Sequence, residues 1–371
     1  MNDHPALNPA NIFATYLGSK ELSPFHNCYA NENTVLRLSA GRFYAHHNGE
    51  DVISSYWALR KQAALFDVPE RPVEISGPGA VEFLEYLVAR NIKDMEVGRG
   101  RYALICTHKG GIFMDGILFR LAENRFWFVH PDGDLDTWLL ANCNSFDVSV
   151  SDPKSRVLQL QGPKSFQIMH DATKGALTQN FRYFHSGFFN FDGQQVYVSR
   201  TGWTGELGYE IYIPNKKVLK IWDTLFSNHK YDLRPIGLAA RDTLRIEMGY
   251  CLYGKDINED ISPIEANLRW ITKTETNFIG SNIIEEQIKS GIRKKLIGFK
   301  LIQKSIPRNG YEIYNLEKEL IGSVTSGTFS PILKIGIGLA YVDVNYLDTE
   351  NIYIKIRDKF IKATIVNTPF I

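Results

Sequence analysis

Asp115 is the first residue in this chain whose setting asks for a chemical explanation. It lies in GRGRYALICTHKGGIFMDGILF, residues 98–119, which reads as a hairpin. Residues 102–106 form a short apolar run, Thr107-His108-Lys109-Gly110-Gly111 a turn, and residues 112–119 a second apolar run. The two glycines tolerate the positive φ that a tight turn needs. Asp115 is the one charged residue of the second run, and Gly116 follows it. A carboxylate inside a buried strand costs free energy unless it is paired or used. Position alone admits two accounts: a working carboxylate, or an Asp at a bulge or strand end that is solvated or capped by a backbone N–H.

Two further stretches combine polar groups with unusual backbone. VYVSRTGWTGELGYEIYI, residues 196–213, reads as two strands around Thr201-Gly202-Trp203-Thr204-Gly205-Glu206-Leu207-Gly208. Three glycines in one turn let a backbone approach something closely. The spacing GxxGxxG precedes a strand rather than a helix, so it is not a dinucleotide fingerprint, and a nicotinamide oxidoreductase is disfavoured. RPIGLAARD, residues 234–242, leads into a helix expected over 243–249. Arg241 and Arg245 are i,i+4 neighbours on one helical face. Such a pair ordinarily makes a surface ion-pair face, but the apolar, glycine-containing lead-in leaves Arg241 semi-buried. His46 and His47 point to opposite sides of a strand, and Cys28, Cys106, Cys143 and Cys251 lie far apart with no CxxC pair. Neither pattern makes a metal site, so no metal is expected.

These groups need a scaffold of more than one core. A length of 371 residues suggests two or three domains. The balance of 44% hydrophobic and 22% charged residues is that of a soluble globular protein. A net charge of +1 gives no field to recruit nucleic acid or an anionic membrane, so neither is an expected partner. No run of eighteen apolar residues suggests a membrane span. MNDHPALNPANIF carries no targeting pattern, and with the cysteine usage this points to the cytoplasm. Residues 1–35 read as an irregular arm. A helix is expected over 51–65. SGPGAVEFLEYL at 76–87 and LQGPKSFQIM at 160–169 share one grammar, strand then Gly-Pro then helix, a weak internal repeat. Ser262 and Pro263 have the chemistry of a helix start. From about residue 293 the texture becomes short Ile- and Lys-rich strands with turn signals, a small all-β barrel or sandwich.

Taken together, GGIFMD at 110–115, SRTGWTGELGYE at 199–210, RPIGLAARDTLRIE at 234–247, LYGKDINEDISPIEANLRW at 252–270, and PRNGYEI with TSGTFSP at 307–313 and 325–331 resemble the glycine-cleavage T-protein (aminomethyltransferase) superfamily of folate-dependent enzymes. The resemblance covers roughly residues 35–371. It implies an α+β fold: a three-domain cloverleaf around a central folate channel, with residues 1–35 as an arm, 36–285 as a folate-binding catalytic region of two intertwined domains, and 286–371 as a C-terminal all-β barrel. It implies tetrahydrofolate as cofactor. Carried over position by position, the catalytic Asp falls on Asp115 and the folate-contacting Tyr on Tyr102. The aromatic residue of the glycine-rich turn falls on Trp203, the pterin-reading carboxylate on Glu210, and the ligand-binding Arg on Arg241. A carboxylate suits the N–H edge of a pterin. Aromatic rings suit its faces. A carboxylate beside the reduced ring's nitrogens can orient or deprotonate an amine and stabilise developing positive charge.

The sequence also departs from the T-protein pattern. After Phe66-Asp67-Val68 the family usually continues Ser-His-Met-Gly, whereas this chain has Pro69-Glu70-Arg71-Pro72. Ala40-Gly41-Arg42-Phe43-Tyr44 replaces Gly-Trp-Glu-Met-Pro, and Met114-Asp115-Gly116 replaces a paired Asp. ERPVEIS at 70–76 and the Trp203 turn look more like the demethylase branch, which includes dimethylsulfoniopropionate demethylase. The expectation is therefore a demethylase that moves a methyl group from a small-molecule donor to tetrahydrofolate. The alternatives are an aminomethyltransferase served by a carrier protein, and a non-catalytic folate binder of the iron–sulfur assembly type. The latter carries a Cys motif, Lys-Gly-Cys-Tyr, that the Trp203 turn lacks.

Overall fold

A computed structural model describes residues 21–39, 41–131, 133–227 and 231–371. Residues 1–20 of the expected arm lie outside that set, as does Asp132 in the turn expected at 131–134. The chain divides into two compact units. The first takes its described residues from Met1–Ala80, Met95–Arg101 and Gly116–Asp242, the second from Val81–Asp94, Tyr102–Asp115 and Thr243–Ile371. The class is α+β with a closed barrel at the C-terminal end, as expected.

The first unit is built on a six-stranded sheet in the order Ser186–Phe191, Gln194–Ser199, Gly208–Pro214, Ser155–Gln161, Ala64–Val68, Arg234–Pro235. Its central strand, Ser155–Gln161, is buried along its whole length. That strand pairs antiparallel with Gly208–Pro214 on one side and Ala64–Val68 on the other. Side chains alternate across a strand. Leu158, Leu160, Ile211, Val198 and Leu65 therefore share one face. They join Ile168 and Met169 of helix Ser165–Ala172, and Ile221 and Leu225 of helix Val218–Phe226, in one core. A second sheet sets Arg71–Ser76 between Arg125–His130 and Ser149–Ser151. Only Pro69 and Glu70 separate the end of Ala64–Val68, in the first sheet, from the start of Arg71–Ser76, in the second.

The repeated strand, Gly-Pro, helix grammar has a shared geometry. Gly77 (φ 130°) and Gly162 (φ 121°) follow the strands Arg71–Ser76 and Ser155–Gln161. A Cβ at either would lie 2.5 Å from a backbone oxygen, that of Asp147 or of Gln62. Only glycine fits that corner.

In the second unit the turn of the opening hairpin closes through Thr107 N–H to Gly111 O (2.8 Å) and Gly110 N–H to Thr107 O (2.9 Å). The barrel runs Lys294–Leu301, Ile335–Asp343, Leu320–Ser330, Glu312–Tyr314, Asn351–Ile356, Lys359–Val366 and back to the first. Its interior is apolar, with Phe299, Ile313, Val342, Ile352 and Ile354 buried. Beside it, Arg245 is fully buried and donates to Asp256 Oδ2 (2.6 Å), Ser326 Oγ (2.8 Å) and the Tyr250 carbonyl (3.1 Å).

Three local expectations are corrected. The helix expected over 51–65 is Val52–Lys61, started by Asp51, whose side chain accepts from Ser54 N–H (2.7 Å). Residues 64–68 are a strand, because their backbone completes the ladder with Ser155–Gln161. The helix expected over 243–249 is Leu238–Glu247, so Arg241 is already inside it. Ser262 does form a reciprocal capping box with Glu265 (2.9 and 3.2 Å), but a turn follows in place of an α-helix. Asn267 takes φ 60°, and the chain leaves after a turn closed by Leu268 N–H to Pro263 O (2.8 Å).

Candidate active site

The second face of the six-stranded sheet is polar. The register sets Gln159 opposite Glu210, Glu210 opposite Ser199, and Val157 opposite Tyr212. Glu210 is 4% exposed, and three neutral side chains hold its carboxylate. Gln159 Nε2 donates to Oε1 (2.5 Å), while Thr201 Oγ1 (2.5 Å) and the Tyr212 hydroxyl (3.0 Å) donate to Oε2. Ser199 Oγ lies 2.5 Å from Thr201 Oγ1 and 3.3 Å from the Tyr212 hydroxyl. Burial raises the Glu210 carboxyl above the usual carboxylate range. The Thr201 hydroxyl opposes that most, the charge of Glu70 adds to it, and the Gln159 and Tyr212 donors oppose it. A carboxylate has about four lone-pair positions. Three are used, so Oε1 keeps one for a further donor.

Gln159 also faces Arg241. Its Oε1 accepts from Arg241 Nη1 (3.2 Å). The same guanidinium forks onto Glu70, with Nη1 3.3 Å from Oε2 and Nη2 donating to Oε1. It lies 4.8 Å from the ring centroid of Trp203, a cation–π distance. Arg241 is 5% exposed and Trp203 half-buried. Glu70, Arg241, Gln159 and Glu210 thus form one connected line, with Trp203 beside it.

The close approach that the glycine-rich turn makes is internal. A Cβ at Gly202 would lie 2.1 Å from Gln161 Oε1, and one at Gly208 2.3 Å from Gln161 Nε2. Gln161 fills that space, accepting from Thr204 Oγ1 (2.7 Å) and donating to the Thr201 carbonyl (3.2 Å). The turn is shaped around an amide of its own sheet, and this fixes where Thr201 and Trp203 stand.

The second unit holds the other pair. Asp115 is 8% exposed, and its Oδ2 accepts from the Tyr102 hydroxyl (2.8 Å). Burial, the Asp115 charge and Cys251 raise the Tyr102 phenol well above its ordinary value. Tyr102 therefore stays protonated and acts as a donor. Burial and the charges of Asp256 and Asp115 likewise push the Cys251 thiol up, so it is no thiolate nucleophile.

The five residues singled out from the sequence fall into two groups: Trp203, Glu210 and Arg241 in one network, Tyr102 and Asp115 in another. Sequence reasoning missed Gln159, Glu70, Thr201 and Tyr212. The period-two pair Gln159 and Gln161 in the apolar run RVLQLQ carried a signal, since two amides on one face of a central strand need partners. Among the described residues, no group of three or more His, Cys, Asp or Glu side chains could hold a metal ion.

Comparison with known proteins covers almost the whole chain. Residues 27–276 match the GCVT N-terminal domain family, and residues 294–371 the glycine cleavage T-protein C-terminal barrel domain family. An aminomethyltransferase of Alkaliphilus metalliredigens is 38% identical over 331 residues, covering 86% of this chain and 89% of the relative. One from Caldanaerobacter subterraneus subsp. tengcongensis is 36% identical over 330 residues, with 86% and 88% covered. The crystal structure of the glycine cleavage system aminomethyltransferase T from Bartonella henselae superposes with a TM-score of 0.87 at 29% identity, covering 95% of this chain and 98% of that one. These matches overturn two expectations. The chain is not placed in a demethylase-like branch, and methyl transfer from a small-molecule donor is not the activity its relatives share. The departures that suggested otherwise, Pro69-Glu70-Arg71-Pro72 above all, are local. Residue 70 joins a network around Arg241 within a scaffold that is T-protein throughout.

Proposed function

The chain belongs to the glycine-cleavage T-protein family, a family of folate-dependent enzymes, and from that premise we propose that it transfers the carbon of an aminomethyl group to tetrahydrofolate. The observation that carries this reading is identity of 38% to an aminomethyltransferase across both domains of the chain. The donor is an aminomethyl group borne on the sulfur of a lipoyl arm, presented by a carrier protein. Its carbon loses the bonds to sulfur and to the amine nitrogen and gains two to nitrogens of tetrahydrofolate. The two protons displaced there leave with the thiol and the ammonia.

The residues present fit such a ligand on the chemistry of their donors and acceptors. Tetrahydrofolate supplies the nitrogen nucleophiles. Glu210, with an acceptor position left on Oε1, takes an N–H of the pterin edge, and Trp203 walls the ring. Tyr102 fixes one oxygen of Asp115 through its hydroxyl. Asp115 then orients the attacking amine, receives its proton, and stabilises positive charge as it develops. A buried carboxylate held by a phenol is suited to this, because little must reorganise when charge appears.

The test is calorimetry with tetrahydrofolate, followed by an assay of ammonia release from an aminomethyl-loaded lipoyl carrier protein. Binding together with stoichiometric ammonia and thiol is the expected result. Absence of folate binding overturns the reading. Folate binding with no ammonia release from the loaded carrier leaves a folate-binding protein without transferase activity.

A further inference from the structure

Arg241 is the cation of the Glu210 wall, and three contacts from its Nη1 and Nη2 donors are already made within it. Two go to Glu70 and one to Gln159, while its face lies against Trp203. A guanidinium paired bidentately and stacked in this way is neutralised and fixed before any ligand arrives. Glu70 is delivered from the two-residue connection between Ala64–Val68 and Arg71–Ser76, with Pro69 before it to fix φ. Both flanking strands are laddered into sheets, so the carboxylate has little freedom to leave. Gln159 makes the next link. Its amide oxygen accepts from Arg241, so its nitrogen must face Glu210 and donate. With Arg241 gone or displaced, the amide loses the anchor on its oxygen and is held only at its Glu210 end, so the donor that aims Oε1 is no longer fixed.

We infer that Glu70 is the positioning residue of this wall: through Arg241 and Gln159 it holds Glu210 as an oriented acceptor for the N–H edge of a pterin, and Arg241 serves this line rather than a carboxylate of the ligand. The inference rests on tetrahydrofolate being the ligand. It predicts a specificity: the wall reads the ring and is indifferent to an acidic tail.

The experiment compares two ligands on the full-length protein, tetrahydrofolate and a tetrahydropterin that lacks the aminobenzoyl-glutamate tail. Glu70→Gln should weaken both by the same factor, about tenfold. Glu70→Asp, which keeps the charge on a shorter arm, should recover part of that loss. In a double-mutant cycle, Glu70→Gln with Gln159→Leu should cost no more than the larger single change, because one line is cut in either case. A loss confined to the tailed ligand would assign Arg241 to the tail and overturn the inference. So would unchanged affinity in Glu70→Gln, or strict additivity in the cycle. Where Glu70→Gln fails to fold, the same two-ligand comparison on Glu70→Asp decides between equal and tail-specific loss. Failure of the unmodified protein to bind either ligand would instead sink the folate reading itself, an outcome distinct from these.

Discussion

The two faces of the six-stranded sheet are made from alternate residues of the same strands, yet they solve different problems. One face carries Leu158, Leu160 and Ile211 under two helices, with Asp67 set opposite Leu158 in the ladder. The other carries Gln159, Gln161 and Glu210. Each face thus contains a buried carboxylate, and their surroundings differ. Glu210 receives three side-chain donors and is linked through Gln159 to an arginine. Asp67 accepts from the Tyr29 hydroxyl (2.8 Å), and burial pushes its carboxyl up to about 7, with the Ser23 and Tyr29 hydroxyls and then Arg42 opposing and Glu70 adding to the rise. The lesson is that burial alone does not mark a working carboxylate. Built-in donors that hold its oxygens in place and oppose the rise do.

The largest expected effect lies outside this sheet, at Asp115, and sharpens the contrast between binding and turnover. Asp115→Asn keeps the shape and the Tyr102 contact and should lower kcat by about 10²–10⁴-fold. Tetrahydrofolate affinity, read by calorimetry, should stay within about twofold, the change expected when an interaction made only in the transition state is lost. On the polar face, Glu210→Ala should raise the tetrahydrofolate Kd by about a hundredfold, since it removes the acceptor and leaves three donors facing a void. An unmoved Kd would break the assignment of that face. On the apolar face, Leu158→Ala should cost about 2–5 kcal/mol in denaturant unfolding and leave the Kd of the folded protein unchanged. A shift in Kd comparable to that of Glu210→Ala would erase the distinction between the faces.

The smallest effect is a pH dependence at Asp67. Its folded pKa is raised, to about 7, whereas an unfolded Asp titrates at about 3.9. Between those values the folded state holds a proton that the unfolded state has lost, so stability falls as pH rises through the window, and the full penalty is present above 7. Asp67→Asn should therefore gain on the parent as pH rises from 4 to 8, by about 1–3 kcal/mol. Urea midpoints at the two pH values test the sign, and a constant difference would show that Asp67 does not titrate there.

The parts of this structure that could be read from the sequence are those specified by neighbours in the chain. The 100–122 hairpin follows from its turn residues, the barrel from short alternating strands, and Asp115 stands out because it is charged in an apolar run. The ligand roles of Trp203, Glu210 and Arg241 come only with the family resemblance. What stayed hidden is specified by distant partners. Gln159 meets Glu210 across 51 residues and Arg241 across 82, and Glu70 meets Arg241 across 171. No local pattern encodes such a meeting. The same holds for Arg241 and Arg245. Helical spacing alone gives such a pair one surface face, and only the lead-in points to a semi-buried Arg241; both are buried, with separate partners, Glu70 for one and Asp256 for the other. Glu70 itself is visible in the sequence only as a departure from a family motif, one that points toward a different donor.

The fit of Gln161 between Gly202 and Gly208 ties three positions into one unit of inheritance. A methyl group at either glycine and a full-length amide at 161 would claim the same volume. A chain could acquire alanine in this turn only after residue 161 had shortened, and a chain that shortened it first would carry a hole until the turn filled in. Change at these positions is therefore expected to come in pairs or not at all. That order of events could be replayed in the laboratory by asking whether a small residue at 161 makes Gly202→Ala tolerable.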